Sequence, residues 1–392
     1  MSKKLDTKYL INISRVLSCL LNNKIAAGIN NVQLSYIRNY YYQSLAVYSY
    51  GEKIYVFDYN FSQEIFESLL NWKINSKIRM KRKIKFNIFK SSFLRINIVG
   101  KYVLSVGDVG ISVSCAKWVK KNKLSLICMI HDLLPCQFKE FFEHKTIKSF
   151  PLITKLALEN AKCIITNSDD TKNNLIKFAT INNIALPKLN TLLLGSKTFP
   201  KFNDLCYHNM ITKDPYFVMI GTIEPRKNHF LLLQIWKKII GNYDNNLPKL
   251  FIIGQRGWKC GHVVHMLEDC EELKDTVYEL NHCSDTEMYM YLKGACALLF
   301  PSFAEGYGLP LVEALSLKVP AIVSDLPIFH EIAGEIPEYI DPIDAIKWMS
   351  VIMDYASPNS ITRQKQMERI LNYQAPTWQD HFAALDEIIT NI

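Results

Sequence analysis

The chain has 392 residues, of which 49% are hydrophobic and 21% charged, with 15 glycines and 15 prolines. That composition excludes a disordered chain, a collagen and a disulfide-held miniprotein, and the length exceeds what one core covers, so two domains are expected. The net charge of +9 hides an opposition: residues 1–200 carry 30 Lys/Arg against 12 Asp/Glu (+18), and residues 201–392 carry 16 against 25 (−9).

The first apolar stretch, residues 9–21, contains Arg15 and lacks a small-residue cleavage pattern, so no secretory leader is expected there. The longest apolar runs, such as 124–130, fall short of the ~18 residues a membrane span needs. A cytoplasmic location follows as the expectation. Ten cysteines lie scattered without a C-x-x-C pair, which fits reduced packing thiols. Cys260, His262, His265 and Cys270 do not repeat the paired spacing of zinc sites, and no metal is expected.

Short apolar runs alternate with helix-length amphipathic stretches, the pattern of parallel sheets covered by helices, so the fold class is α/β. Strands are predicted at 9–13, 53–57, 102–106, 124–130 and 163–166. In the second half they fall at 216–220 before Gly221, 250–253 before Gly254, 297–300 before Pro301-Ser302, and 321–323 before Ser324-Asp325. Loops after strand C-termini are where open α/β sheets bind ligands. Residues 195–214, with Pro200, Asn203 and Asp204, form the best linker candidate.

Between these strands, residues 71–107 contain no acid. Lys73, Lys77, Arg79, Lys81, Arg82, Lys83, Lys85, Lys90, Arg95 and Lys101 alternate there with Trp72, Ile74, Ile78, Ile84, Phe86, Ile88, Phe89 and Phe93. Such a segment can be a solvated loop, a nucleic-acid contact or an attachment to an anionic leaflet. The last is preferred, because apolar side chains beside the cations add interfacial burial and no nucleic-acid module accompanies them.

The most informative stretch is Leu299-Phe-Pro-Ser-Phe-Ala-Glu305-Gly-Tyr-Gly-Leu-Pro310-Leu-Val-Glu313-Ala-Leu315. It couples a strand to a loop and then a helix with Pro310 in its first turn, leaving the N–H groups of Gly306, Tyr307, Gly308 and Leu309 open to an anion or a sugar hydroxyl. Glu305 in the loop and Glu313 a turn into the helix can accept hydrogen bonds from a sugar and a ribose; they can equally do no more than offset the helix dipole.

A Glu followed eight positions later by a second Glu within P-S-x-x-E-G-[FY]-G-L-P-x-x-E-A resembles the donor-site signature of the retaining glycosyltransferases of family 4, which have the GT-B fold. Gly221-Thr-Ile-Glu-Pro-Arg226-Lys227-Asn228, Gly254-Gln-Arg256-Gly-Trp258 and the stretch from Ser324 to Gly334 follow in the family's order. In the first half Asn12-Ile-Ser-Arg15, Ala27-Gly28-Ile29, His131-Asp132-Leu-Leu-Pro135 and Thr166-Asn-Ser168 resemble the bacterial polysaccharide, mannosyltransferase-like branch. The likeness implies two facing Rossmann-like domains with a cleft between them. The first, residues 1–205, is acceptor-binding and is joined by a C-terminal crossover helix at about 376–392. The second, residues 206–375, binds the nucleotide-sugar donor.

Departure of a nucleoside diphosphate calls for cations at the developing charge, and Arg226 and Lys227 follow a strand end where they can supply them. Family members carry an early Arg where this chain has Thr222, and the resemblance implies that Arg226 takes over. A charged helix entry is the plainer reading of the pair. By resemblance Glu305, His131 and Asp132 are catalytic, with His131 facing the anomeric carbon and Asp132 orienting it or acting on the acceptor. Gly306, Tyr307, Gly308, Leu309, Glu313, Gly28 and Arg256 join Arg226 and Lys227 on the donor. From the residues alone, His131 can also be a structural imidazole and Gly28 a turn glycine.

The family implies front-face, metal-independent transfer without a cofactor. The resemblance implies a nucleotide-sugar donor, GDP-mannose first, with mannose or a deoxyhexose such as rhamnose as the sugar. With the charge of the first half, it implies a lipid-linked oligosaccharide acceptor on the way to O-antigen, lipopolysaccharide or capsule. Charge adds a peripheral contact with the inner face of an anionic membrane through about 73–101, and no nucleic acid. The principal rival is a non-catalytic GT-B scaffold of a polysaccharide assembly complex; an epimerase of similar fold and a nucleic-acid-binding protein rank below it.

Overall fold

The computed structural model describes residues 7–22, 28–72, 77–91, 96–107, 111–197, 212–242 and 247–392. Two compact units divide them. One holds Met1–Cys136, His144–Leu194 and Trp378–Ile392; the other holds Gln137–Glu143 and Gly195–Thr377.

The sheet of the first unit contains β1 (Tyr9–Asn12), β2 (Ser44–Tyr50), β3 (Lys53–Val56), β4 (Tyr102–Ser105), β5 (Ser125–Ile130), β6 (Cys163–Thr166) and β7 (Lys188–Thr191). Its order is β3-β2-β1-β4-β5-β6-β7, parallel except for the β2–β3 hairpin. The second unit has β8 (Tyr216–Ile220), β9 (Lys249–Ile253), β10 (Val277–Leu280), β11 (Ala297–Phe300), β12 (Ala321–Ser324) and β13 (Glu338–Ile340), all parallel, in the order β10-β9-β8-β11-β12-β13. Both are doubly wound Rossmann-like sheets. The strand order reverses between β1 and β4 and between β8 and β11, and ligands of such sheets bind outside the carboxyl ends at those points.

Strands β1, β6, β8, β11 and β12 are buried along their whole length, as parallel strands between two helical layers must be. Trp236 and Trp348 anchor the second core from helices His229–Asn242 and Ala345–Ala356, their indole N–H groups donating to the carbonyls of Pro248 and Asp341. Burial of rings this large, with the one polar atom satisfied, gives rigid support to the loops above the sheet.

The nine predicted strands are present, with ends shifted by a residue or so. Four more, β2, β7, β10 and β13, were not anticipated. Strands β3, β7, β10 and β13 are edges, and in three of these four no residue is fully buried. The expected boundary at 205/206 and most of the expected linker lie in 198–211, outside the described residues. Residues 137–143, expected in the first domain, go with the second unit because the Trp258 Nε1–H donates to the Phe141 carbonyl at 2.8 Å and Phe141 stacks on Phe303 at 5.6 Å.

Helix Trp378–Thr390 returns the chain to the first unit. Leu385 and Phe382 are buried there, and Trp378 stacks on Phe382 at 5.5 Å. His381 bridges the Tyr36 hydroxyl at 2.8 Å and the Leu193 carbonyl at 2.9 Å, while the Tyr40 hydroxyl donates to Asp386 at 2.8 Å.

Candidate active site

In the second unit the site grows from the loops that follow β8 and β11, the two strands flanking the switch point. The chain leaves β8 through Gly221 and makes a short 3-10 turn at Pro225–Lys227. Phe303 N–H donates to the Arg226 carbonyl at 2.8 Å, and the Arg226 guanidinium donates to the Ala304 carbonyl at 2.9 Å, so the two loops are tied before any charge is counted.

Glu305 lies at the centre. Its carboxylate accepts from Lys227 Nζ at 2.5 Å, Arg226 Nη1 at 2.8 Å and Ser302 Oγ at 2.7 Å. The Arg226 Nε is 2.6 Å from Glu224, and Lys227 Nζ sits 4.8 Å from the centre of the Phe300 ring. Glu224, Lys227, Ser302 and Glu305 are all buried. Burial alone would raise the Glu305 pKa, but Arg226 and then Lys227, with hydrogen bonds from Lys227 and Ser302, outweigh it and hold the carboxyl at about 2. Glu305 is ionised at neutral pH. Burial pushes Glu224 up against the pull of the same two cations.

Helix Leu309–Ser316 begins one residue after Gly308, which has φ +114°; a Cβ there would come within 2.9 Å of Phe329. Only glycine turns the chain so sharply, and Pro310 then sets the first turn. Gly306 and the buried Tyr307 complete the loop; in the first turn Pro310 has no N–H, and the Leu311 and Val312 N–H groups donate to the Gly308 carbonyl at 2.9 and 3.2 Å, so what this helix start turns toward the Glu305 loop is the positive end of its dipole. Glu313, one turn in, is buried. Burial raises its pKa to about 7, with Lys197 lowering it and Asp285 raising it. Lys197 and Asp285 form their own pair at 2.7 Å.

Arg256 is not drawn into this cluster. Its exposed guanidinium grips Glu279 through Nε and Nη2 at 2.8 and 2.7 Å and Glu268 through Nη1 at 2.5 Å.

In the first unit His131 follows β5 and is buried. Its Nε2–H donates to the Val106 carbonyl, 2.8 Å away beyond the end of β4, which leaves Nδ1 as the acceptor. Burial lowers the ring's pKa to about 4, partly opposed by that hydrogen bond and reinforced by Arg15, so the imidazole is neutral at pH 7. Thr171 Oγ1 donates to the His131 carbonyl at 3.3 Å; Ser168, capping helix Asp169–Ile181, holds Thr171 in place. Asp132 Oδ1 accepts from the Leu134 N–H at 3.1 Å, an Asx turn that starts the next helix. Gly28 caps helix Ile29–Tyr40 with φ +51°, exposed and with nothing within 4 Å of where a Cβ would stand.

Three contributors were not singled out from the sequence. Glu224 and Ser302 lie within the quoted motifs beside louder neighbours, and the structure shows each bound to the cluster from its own loop, Glu224 to Arg226 and Ser302 to Glu305. Gln33 secures the turn that follows β1, its amide donating to the Asn12 carbonyl and accepting from the Val16 N–H at 3.0 Å.

Residues 207–336, which include this second-unit site, match the family Glycosyl transferases group 1. Among curated relatives, the serotype-specific mannosyltransferase WbdA of Escherichia coli is 29% identical over 252 residues, 59% of this chain and 31% of that protein. The O-antigen chain mannosyltransferase RfbU of Salmonella typhimurium is 28% identical over 235 residues, 60% of this chain and 62% of that protein. The chain thus spans less than two thirds of the length of either. Among solved structures, sucrose-phosphate synthase from Thermosynechococcus elongatus superposes with a TM-score of 0.66 at 14% identity, covering 98% of both chains. Anabaena Alr3699/HepE, solved with UDP and glucose, superposes at 0.67 and 12% identity, over 98% of this chain and 100% of that one. These two likenesses establish the fold, which is GT-B.

Proposed function

We propose that the chain is a retaining hexosyltransferase of family 4. It moves a hexose, mannose first and a deoxyhexose such as rhamnose second, from a nucleotide sugar to a growing, lipid-linked oligosaccharide of the O-antigen or capsule type. The observation that carries this is Glu305, buried between Lys227 and Arg226 at the second sheet's switch point, within the stretch that matches the glycosyltransferase family. The relatives' names favour mannose, and GDP-mannose is the donor we infer.

Cleavage of the bond between the anomeric carbon and the diphosphate leaves negative charge on the departing oxygen. Lys227, Arg226 and the dipole at the start of helix Leu309–Ser316 are fixed positive groups for that charge, and in this reading they need no divalent metal. Glu305 holds both cations in one geometry and offers its outer edge to a hydroxyl of the transferred sugar. Glu313, near half-protonation at neutral pH, can both donate to and accept from a ribose. The part assigned to His131 of the first unit rests on the family resemblance: a neutral ring with Nδ1 as the acceptor would offer a lone pair to positive charge at an anomeric carbon without repelling it. The acceptor oxygen bonds to that carbon on the face the phosphate leaves, and the acceptor proton passes to the departing phosphate oxygen, which gives retention.

The reading places the protein in the cytoplasm, peripheral at the inner membrane face. No helix among the described residues is long and apolar enough to cross a membrane. The test is thermal stabilisation of the purified chain by GDP-mannose, UDP-sugars and free nucleotides, with and without EDTA. A shift with one nucleotide class, unchanged by EDTA, is expected. No shift with any of them would give way to the non-catalytic scaffold.

A further inference from the structure

The helix Lys77–Ser91 has two faces of different character. Met80 and Ile84 are buried, and the helix packs on helix Ser14–Leu21 and on β3. Two of its cations are held by acids of this unit: Lys83 pairs with Glu64, and Lys90 with Asp58 at 2.6 Å. The opposite face carries Ile78, Arg79, Arg82, Lys85, Phe86 and Phe89, all exposed, with Ile78, Phe86 and Phe89 each about two thirds accessible. At 100° per residue these six fall within one arc of roughly 120°. Lys81 flanks the arc. No ion pair among the described residues engages Arg79, Lys81, Arg82 or Lys85, and the helix contains no acid.

A solvated charged helix has no use for three large apolar side chains on its outermost face. A nucleic-acid phosphate track would use the cations and leave Ile78 unexplained. A bilayer interface uses both, with the rings and Ile78 in the boundary between headgroups and acyl chains and the cations on anionic headgroups. We propose that this face of Lys77–Ser91 docks the protein on an anionic phospholipid surface. The inference deepens the membrane contact proposed above but stands on the helix alone, so its test needs no transferase activity.

The full chain is sedimented with phosphatidylcholine vesicles with and without phosphatidylglycerol. Binding is expected only where the anionic lipid is present, and it should weaken as salt rises. Each cation at such a surface strengthens partitioning about fivefold, so the triple variant Lys81→Gln, Arg82→Gln, Lys85→Gln should lose on the order of a hundredfold. Phe86→Ser with Phe89→Ser should also weaken binding, and the loss should persist at low salt. Lys83→Gln, whose partner is Glu64, should cost less than Arg82→Gln. All of these positions except Lys83 are exposed, and unchanged thermal melts would confirm that the variants fold. The proposal is overturned if anionic vesicles are not bound, if Lys83→Gln costs as much as Arg82→Gln, or if the triple variant loses binding to an RNA oligonucleotide while vesicle binding is untouched. A collapse of nucleotide-sugar transfer with vesicle binding intact would strike the transferase reading alone.

Discussion

Replacing Glu305 by Gln keeps the side chain's shape and removes the charge on which the second-unit cluster is centred. In the wild type the carboxyl is held at about 2 against an ordinary value of 4.5, a difference equivalent to about 3 kcal/mol of native-state stabilisation at neutral pH. Loss of one partner of a buried ion pair costs ~3 to 5 kcal/mol, because the other charge stays buried. Glu305→Gln is therefore expected to destabilise by about 3 kcal/mol at pH 7, or ~6 to 12 °C of melting temperature for a unit of this size. The pKa is depressed in the folded state, so the wild-type advantage is complete above pH 4.5 and vanishes as pH falls through about 2. The melting gap between the proteins should narrow over that window. The double variant Glu305→Gln, Lys227→Met removes both members of the pair and should regain much of the stability while transferring no sugar. Thermal melts from pH 7 to pH 3, with transfer assayed at pH 7, are the measurement. A single variant that melts like wild type at pH 7, or a gap that stays constant down to pH 3, would refute the reasoning.

Gly308→Ala forces a Cβ to 2.9 Å from Phe329 at φ +114° and should cost ~1 to 3 kcal/mol by thermal melt while weakening nucleotide-sugar binding by titration. Glu313 has its pKa raised to about 7, so its contribution is complete below pH 4.5 and is lost as pH rises through 7. Glu313→Gln should therefore melt higher than wild type at pH 8, with the gain gone by pH 4, yet bind the donor more weakly. His131 stays neutral above about pH 4, so its ring protons should show no NMR titration step near 6.5, and His131→Phe should lower kcat without introducing or removing a pH step there. Arg256→Gln, which releases only Glu279 and Glu268, should leave donor affinity within about twofold in the same titration.

The legibility of the fold followed burial. Strands such as β8 and β11 are covered on both faces, so each appears as an unbroken apolar run, FVMI before Gly221 or ALLF before Pro301-Ser302. β7 (KLNT) and β13 (EYI) are edges with water on one side, and their composition matches loops. β2 was missed for another reason. Its SLAVYSY mixes serine with tyrosine, and the Ser44 and Ser62 hydroxyls that let it lie buried find the Tyr40 and Phe57 carbonyls through tertiary contact. At the site, Gly308, Pro310 and the two glutamates stood out because turn and helix-start chemistry is local. Glu224 and Gln33 did not: Glu224 stands two positions from Arg226 with nothing in its type to mark it, and Gln33 meets Asn12 and Val16 only through the packing of helix Ile29–Tyr40 beside the end of β1.

By itself the sequence determined an α/β chain in two parts, a strand-loop-helix with a glycine-rich entry and two glutamates, and a basic, aromatic segment without acids. Local steric and solvation preferences suffice for those. Tertiary structure alone decided which charges meet. Lys227 and Glu305 are 78 positions apart and touch because β8 and β11 lie side by side, whereas Arg256, in an equally suggestive motif, was turned to Glu268 and Glu279. It likewise settled that Lys83 faces Glu64 while Arg82 faces water. Coulomb energies and desolvation fall off over a few ångströms of space, and distance along the chain does not set them.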